Sequence, residues 1–145
     1  MEAVPFGEVR ARVRYKETDQ MGIAHHANYL VWFEIGRTDL CERTGMRYRD
    51  IELSGVLLVV AEIQCVYRIP YRYDEDVVIR TSIVETSSRS MRFGYELLNG
   101  DGTARHATGT TRHLWLDRET RRPVVAPAAV MAAFAPWLPV TAARQ

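Results

Sequence analysis

Tyr15 to Leu40 reads YKETDQMGIAHHANYLVWFEIGRTDL. In its second half Tyr29, Trp32, Phe33, Gly36 and Leu40 recur at i, i+3, i+4, i+7 and i+11, the spacing of one face of an α-helix. The spacing predicts a helix that begins between His26 and Asn28 and runs to about Thr44, with Gly45 free to turn the chain left-handed at its end. Glycine in a helix interior costs roughly 1 kcal/mol relative to alanine, and Gly36 on the apolar stripe therefore implies the close approach of a sheet. Apolar side chains cover much of the circumference, so other elements are expected to wrap this helix. Ahead of it, Thr18, Asp19 and Gly22 favour irregular backbone. A carboxylate held near a helix N-terminus has chemical potential. Free backbone N–H groups there can polarise a carbonyl oxygen while the carboxylate attacks it or activates water.

The flanking segments alternate with period two. Val9, Ala11, Val13 and Tyr15 fall on one face of a first strand, with Arg10, Arg12 and Arg14 on the other. Met46 to Ser54 reads as a turn or short helix. Val56 to Ile69 is rich in branched residues, with Val59, Ala61, Ile63, Cys65, Tyr67 and Ile69 on one face and Pro70 ending the strand. Asp76 to Glu85 and Met91 to Leu97 alternate again across a polar break, Thr86 to Ser90. Asn99-Gly100-Asp101-Gly102 is a strong hairpin signal before the last strand, Thr103 to Leu116, and Ala128 to Phe134 reads as a short closing helix. The expected fold is α+β: an antiparallel sheet of about five strands covering one long central helix, as one domain over residues 1–145.

With 145 residues, 47% hydrophobic and 26% charged, the chain has room for one ordinary core. Its net charge of +1 argues against a nucleic-acid binder. Lys16 is the only lysine, so the positive charge is almost entirely arginine, a side chain suited to phosphates and carboxylates. Cys41 and Cys65 form neither a CxxC pair nor a disulfide framework, and both read as small hydrophobes in a reducing compartment. MEAVPFGEVR has no secretory pattern. No segment approaches the roughly 18 apolar residues of a membrane span, and a soluble cytoplasmic protein is expected. His25 and His26 are adjacent, and His106 and His113 lie seven apart on a strand, so no metal site is expected.

The ordered motif Arg12-Val13-x4-Thr18-Asp19-x2-Gly22-Ile23, followed by His26-Ala27-Asn28-Tyr29, resembles the 4-hydroxybenzoyl-CoA thioesterase family, in particular the acyl-CoA thioesterase branch that includes the Tol-Pal-associated enzymes. The resemblance extends to about Pro136. It implies the hotdog fold and hydrolysis of an acyl-CoA thioester to a free acid and CoA, without a cofactor. Asp19 matches the family's catalytic aspartate, as nucleophile or general base. His26 matches the position whose backbone N–H polarises the thioester carbonyl; His25 departs from the tyrosine common one residue earlier. Asn28 and Tyr29 match a recurring Asn-Tyr pair that is mainly structural, with Asn28 orienting the loop, and both are also substrate-binding candidates.

Ser87, Ser88, Arg89 and Ser90 match the break between strands that contacts the CoA tail, with Arg92 a weaker candidate. Glu34, on the helix, and Glu17 are the alternative carboxylates. Tyr15, Trp32 and Phe33 are candidates for an acyl channel, although such spacing is more often core. The resemblance also implies a homodimer or homotetramer with sites between subunits, Arg89 serving substrate at the partner's aspartate. Two other readings stay open: an acyl carrier protein thioesterase, and a non-catalytic acyl-CoA-binding subunit.

Overall fold

A computed structural model describes residues 4–139. Five strands, β1 (Gly7–Arg12), β2 (Val56–Tyr67), β3 (Asp76–Thr86), β4 (Ser90–Leu98) and β5 (Arg105–Asp117), form one antiparallel sheet in the order β1-β3-β4-β5-β2. Among the described residues three α-helices accompany it: α1 (Asn28–Arg43), α2 (Tyr48–Leu53) and α3 (Ala128–Phe134). The helical part is thus more than one long helix. With 16 residues, α1 is the longest, and α2 takes the place of the expected turn or short helix.

Packing, not propensity, holds α1 on the sheet. A Cβ on Gly36 would overlap the Thr81 and Ile79 side chains of β3, so the glycine sets the helix-to-sheet distance. Phe33 stacks on Tyr95 of β4 with centroids 4.3 Å apart, above Gly109 of β5, where a Cβ would strike the Phe33 ring. Trp32, Phe33 and Leu40 are buried. Each contributes about 1.5–3 kcal/mol by burial, which outweighs the roughly 1 kcal/mol cost of Gly36. The opposite face of α1 leaves Val31 and Ile35 exposed. Gly45, at φ 88°, ends the helix region as the sequence suggests.

Two strand readings are corrected. β1 stops at Arg12, and Tyr15–Glu17 forms a single 3-10 turn, which leaves Tyr15 79% exposed and edge-on to Tyr73 rather than on the apolar face. In β2 a bulge at Ala61 shifts the register between Val60 and Glu62. Val60, opposite the buried His113, therefore shares the inner face with Ile63, Cys65 and Tyr67, whereas Val59 and Ala61 do not. Strand β2 ends at Tyr67, two residues before the expected Ile69. Its outer edge pairs with nothing among the described residues, and Val59, Val60, Ile63 and Val66 stay exposed along it. No described helix is long and apolar enough to cross a membrane.

Candidate active site

Thr18 and Ala24 bridge to close a tight loop. Within it the Asp19 N–H donates to the Ile23 carbonyl at 3.0 Å, the Gly22 N–H donates to the Asp19 carbonyl at 3.0 Å, and Gly22 takes φ 79°. The turn aims the Asp19 carboxylate. Oδ1 accepts the Met21 N–H at 2.8 Å, and Oδ2 has no protein donor among the described residues. The Ala24 N–H donates to the Tyr71 carbonyl at 2.8 Å and ties the loop to the segment between β2 and β3.

Glu17, two residues before Asp19, serves architecture. It is buried, its Oε1 accepts the Arg14 N–H at 2.7 Å, and Oε2 meets Arg14 Nη2 at 3.3 Å. Its carbonyl accepts both the Asn28 side-chain amide and the His25 N–H, each at 2.8 Å. Asn28 thereby locks the start of α1 to the loop, and its amide faces Glu17. Glu34 lies on the exposed face of α1 and does not line the cavity around Asp19.

Helix α1 starts without a side-chain cap. The N–H groups of Asn28, Tyr29 and Leu30 fold back on the carbonyls of His25, His26 and Ala27, and the Ala27 N–H donates to His25 Nδ1 at 3.3 Å. The His26 N–H has no acceptor among the described residues, which leaves a backbone donor at the positive end of the helix. The His26 carbonyl accepts the Tyr67 hydroxyl at 2.9 Å, and the His26 ring is exposed against Tyr67. Burial pushes the Tyr67 phenol up to about 12, with hydrogen bonding to the Cys65 thiol adding to it, so Tyr67 remains a donor at neutral pH. Burial also raises the Cys65 thiol, which makes it a poor nucleophile.

Asp19, His26 and Tyr29 form one side of a cavity of about 320 Å³, and Tyr67, Arg68 and Ile69 from the end of β2 form the other. The Tyr29 ring is buried and its hydroxyl accepts the Tyr71 N–H at 3.4 Å. Arg68 has no carboxylate partner among the described residues, so a cation stands free at the cavity wall. Sequence reading passed over Tyr67 and Arg68. Pro70 signals the strand end, but nothing local says that this end meets the start of α1. Trp32 and Phe33 are fully packed and line no part of this cavity.

Ser87, Ser88, Arg89 and Ser90 lie in the β3–β4 hairpin. Ser87 and Ser90 bond to each other through backbone and hydroxyls, and the Arg89 carbonyl accepts the Trp115 N–H at 3.1 Å. The Arg89 side chain is exposed. This hairpin sits at one end of β4, whereas the Tyr71 hydroxyl, beside the Asp19 loop, reaches Leu98 at the other. Nine residues of β4 separate the two ends by roughly 27 Å. One protomer does not bring the hairpin to Asp19. Arg92 is bound to Glu62 at 3.1 Å and is not free for a ligand.

YneP of Bacillus subtilis (strain 168), provisionally named an acyl-CoA thioesterase, is 42% identical over 112 residues, which is 77% of this chain and 80% of that protein. A hypothetical protein from Thermus thermophilus, TT1821, has a crystal structure with TM-score 0.84 and 36% identity, covering 92% of this chain and 98% of its own. The DHNA-CoA thioesterase of Staphylococcus aureus superposes with TM-score 0.84 at 28% identity, over 90% of this chain and 89% of its own. The family model described as the thioesterase-like superfamily matches residues 13–134. Those residues include both the Asp19 loop and the whole sheet from β2 to β5, and the chain belongs to the thioesterase-like superfamily.

Proposed function

We propose that this protein is an acyl-CoA thioester hydrolase and that Asp19 and the His26 backbone N–H are its reacting pair. The observation that carries the reading is that both residues line one cavity: Asp19 keeps a carboxylate oxygen without a protein donor, and the His26 N–H at the helix start has no protein acceptor among the described residues. A thioester carbonyl oxygen takes the His26 N–H, and developing negative charge there is stabilised by the end of α1. In one route Asp19 bonds to the carbonyl carbon, the C–S bond breaks, CoA leaves as a thiolate that takes a solvent proton, and water splits the mixed anhydride. In the other, Asp19 takes a proton from water as its oxygen attacks, and that proton passes to the leaving thiolate. Both routes need the same two groups.

The finer assignment to the 4-hydroxybenzoyl-CoA thioesterase family and its Tol-Pal-associated branch rests on the ordered motif around Asp19. The reading takes residues 1–145 as a single domain. It places the protein in the cytoplasm, where CoA esters and unpaired cysteines such as Cys41 and Cys65 belong. The free edge of β2 supports a homodimer, itself able to pair into a tetramer. Such a dimer supplies the hairpin that one protomer holds away from Asp19, so that Ser87 to Ser90, with Arg89, bind the CoA tail at the partner's site.

The test is thiol release from short, long and aromatic acyl-CoAs, with wild type and Asp19→Asn. Wild-type turnover that drops by roughly two or more orders of magnitude in the mutant is the expected result. Turnover untouched by the mutation removes Asp19 from the mechanism. Failure on every CoA ester, with turnover of acyl carrier protein esters, moves the substrate to the carrier protein; failure on both leaves a binding subunit.

A further inference from the structure

A second cavity, of about 210 Å³, lies further along the same seam between α1 and β2. Leu30, Phe33, Val60 and Ile63 wall it with apolar surface, and Arg37, Thr111 and the exposed Glu34 supply its polar groups. Arg37 is only 8% exposed. Its Nε donates to the Tyr48 hydroxyl at 2.6 Å and its Nη1 to the Tyr95 hydroxyl at 3.1 Å. Tyr95 continues to Thr111 Oγ1 at 2.6 Å, and Thr111 to His113 Nε2 at 2.9 Å. Every partner in this chain is neutral. Burial raises the Tyr48 and Tyr95 phenols and pushes His113 down to about 3. No carboxylate pairs with Arg37 among the described residues, and Nη2 has no protein acceptor there. A buried guanidinium without a counter-charge is costly to the fold. Among the described residues no carboxylate comes within ion-pair distance to balance it.

We propose that Arg37 recognises an acyl group that ends in a carboxylate, so that the preferred substrates are CoA thioesters of ω-carboxy acids. The proposal rests on the thioesterase reading and deepens it. Two cavities in line along one seam, the second largely apolar and ending on a fork-shaped cation, fit a methylene chain with a terminal carboxylate. Arg37 follows Asn28, the first residue of α1, by nine positions, about 14 Å of helix rise, and the backward lean of helical side chains shortens this to roughly 10 Å. That is the span of an acyl chain of about six to eight carbons. Glu34 is the one carboxylate on the cavity and sits at its exposed rim, where solvent screens it.

The experiment compares pimelyl-CoA with heptanoyl-CoA, matched in chain length and differing in the terminal carboxylate. Wild type is expected to favour pimelyl-CoA by about tenfold or more in kcat/KM, the effect of one charge-assisted bond. Arg37→Gln collapses that ratio toward one through the KM for pimelyl-CoA. Equal or better use of heptanoyl-CoA by wild type overturns the proposal, as does a ratio unchanged in the variant. If the variant does not fold, the wild-type ratio alone decides. Turnover of other CoA esters but neither of these overturns the proposal and leaves the thioesterase reading intact. Failure on every CoA ester removes the thioesterase reading, and calorimetric titration with free pimelate then tests the cavity directly: binding supports the recognition site and no binding overturns it.

Discussion

Glu17 and Asp19 are two residues apart and carry the same functional group, yet the fold uses them oppositely. The Glu17 carboxylate faces inward to Arg14, whereas Asp19 sits in a turn that occupies only one of its oxygens. Sequence alone made both candidates; burial and partners separate them. Arg37 is the reverse case, since a single arginine beside the apolar stripe gives no local sign that it is enclosed by phenols. His113 carries a testable consequence of the same enclosure. Burial is the main cause that depresses its folded pKa from the usual 6.5 to about 3, with the Arg37 charge adding to it. Between those values the unfolded chain binds a proton that the native protein does not. Stability is therefore full above about pH 6.5 and falls on acidification, by about 1.4 kcal/mol per pH unit from this group. Urea unfolding at pH 7.5, 6.5 and 5.5 measures it. His113→Gln should flatten the slope between the lower two points, and an unchanged slope would assign it to other groups.

At the scale of elements, the α1 periodicity located the helix, and its one glycine on the stripe forecast the sheet contact. That contact is tight enough to predict a loss from a substitution that helix propensity favours. Gly36→Ala gains about 1 kcal/mol of propensity and incurs an overpacking cost of about 1–3 kcal/mol against Thr81 and Ile79. A net loss of up to about 2 kcal/mol in denaturant titration is expected; a stabilised variant would show that the helix can back away from β3. Strand β2 teaches the opposite lesson. Its alternation runs unbroken through Val59, Ala61 and Ile63 in the sequence, and the bulge at Ala61 exists only because of pairing with β5. One extra residue hands the inner face to Val60, and with it a wall of the cavity beside Arg37.

At the scale of the molecule, the edge of β2 is open to a further strand among the described residues, and the dimer proposed above would pair there and bring the Ser87–Ser90 hairpin to the partner's site. Val59→Lys with Val66→Lys places two charges along the edge, the device by which natural edge strands resist pairing. The pair should shift the protein to monomer in light scattering and reduce turnover with it. Mixing Asp19→Ala and Arg89→Ala chains tests the shared site: hybrid dimers recover activity that neither parent has. No recovery, with exchange of subunits verified, would separate Arg89 from the partner's site. From the sequence alone came the class of the fold, the succession of its elements along the chain, the position of α1 and the loop that carries Asp19, because periodicity and turn chemistry act over a few neighbouring residues. The tertiary structure alone decided the strand order across the sheet, the meeting of Tyr67 and Arg68 with the helix start, the division of labour between Glu17 and Asp19, and the isolation of the Arg37 charge. Those depend on which distant segments exclude water together, and that is a property of the packed chain.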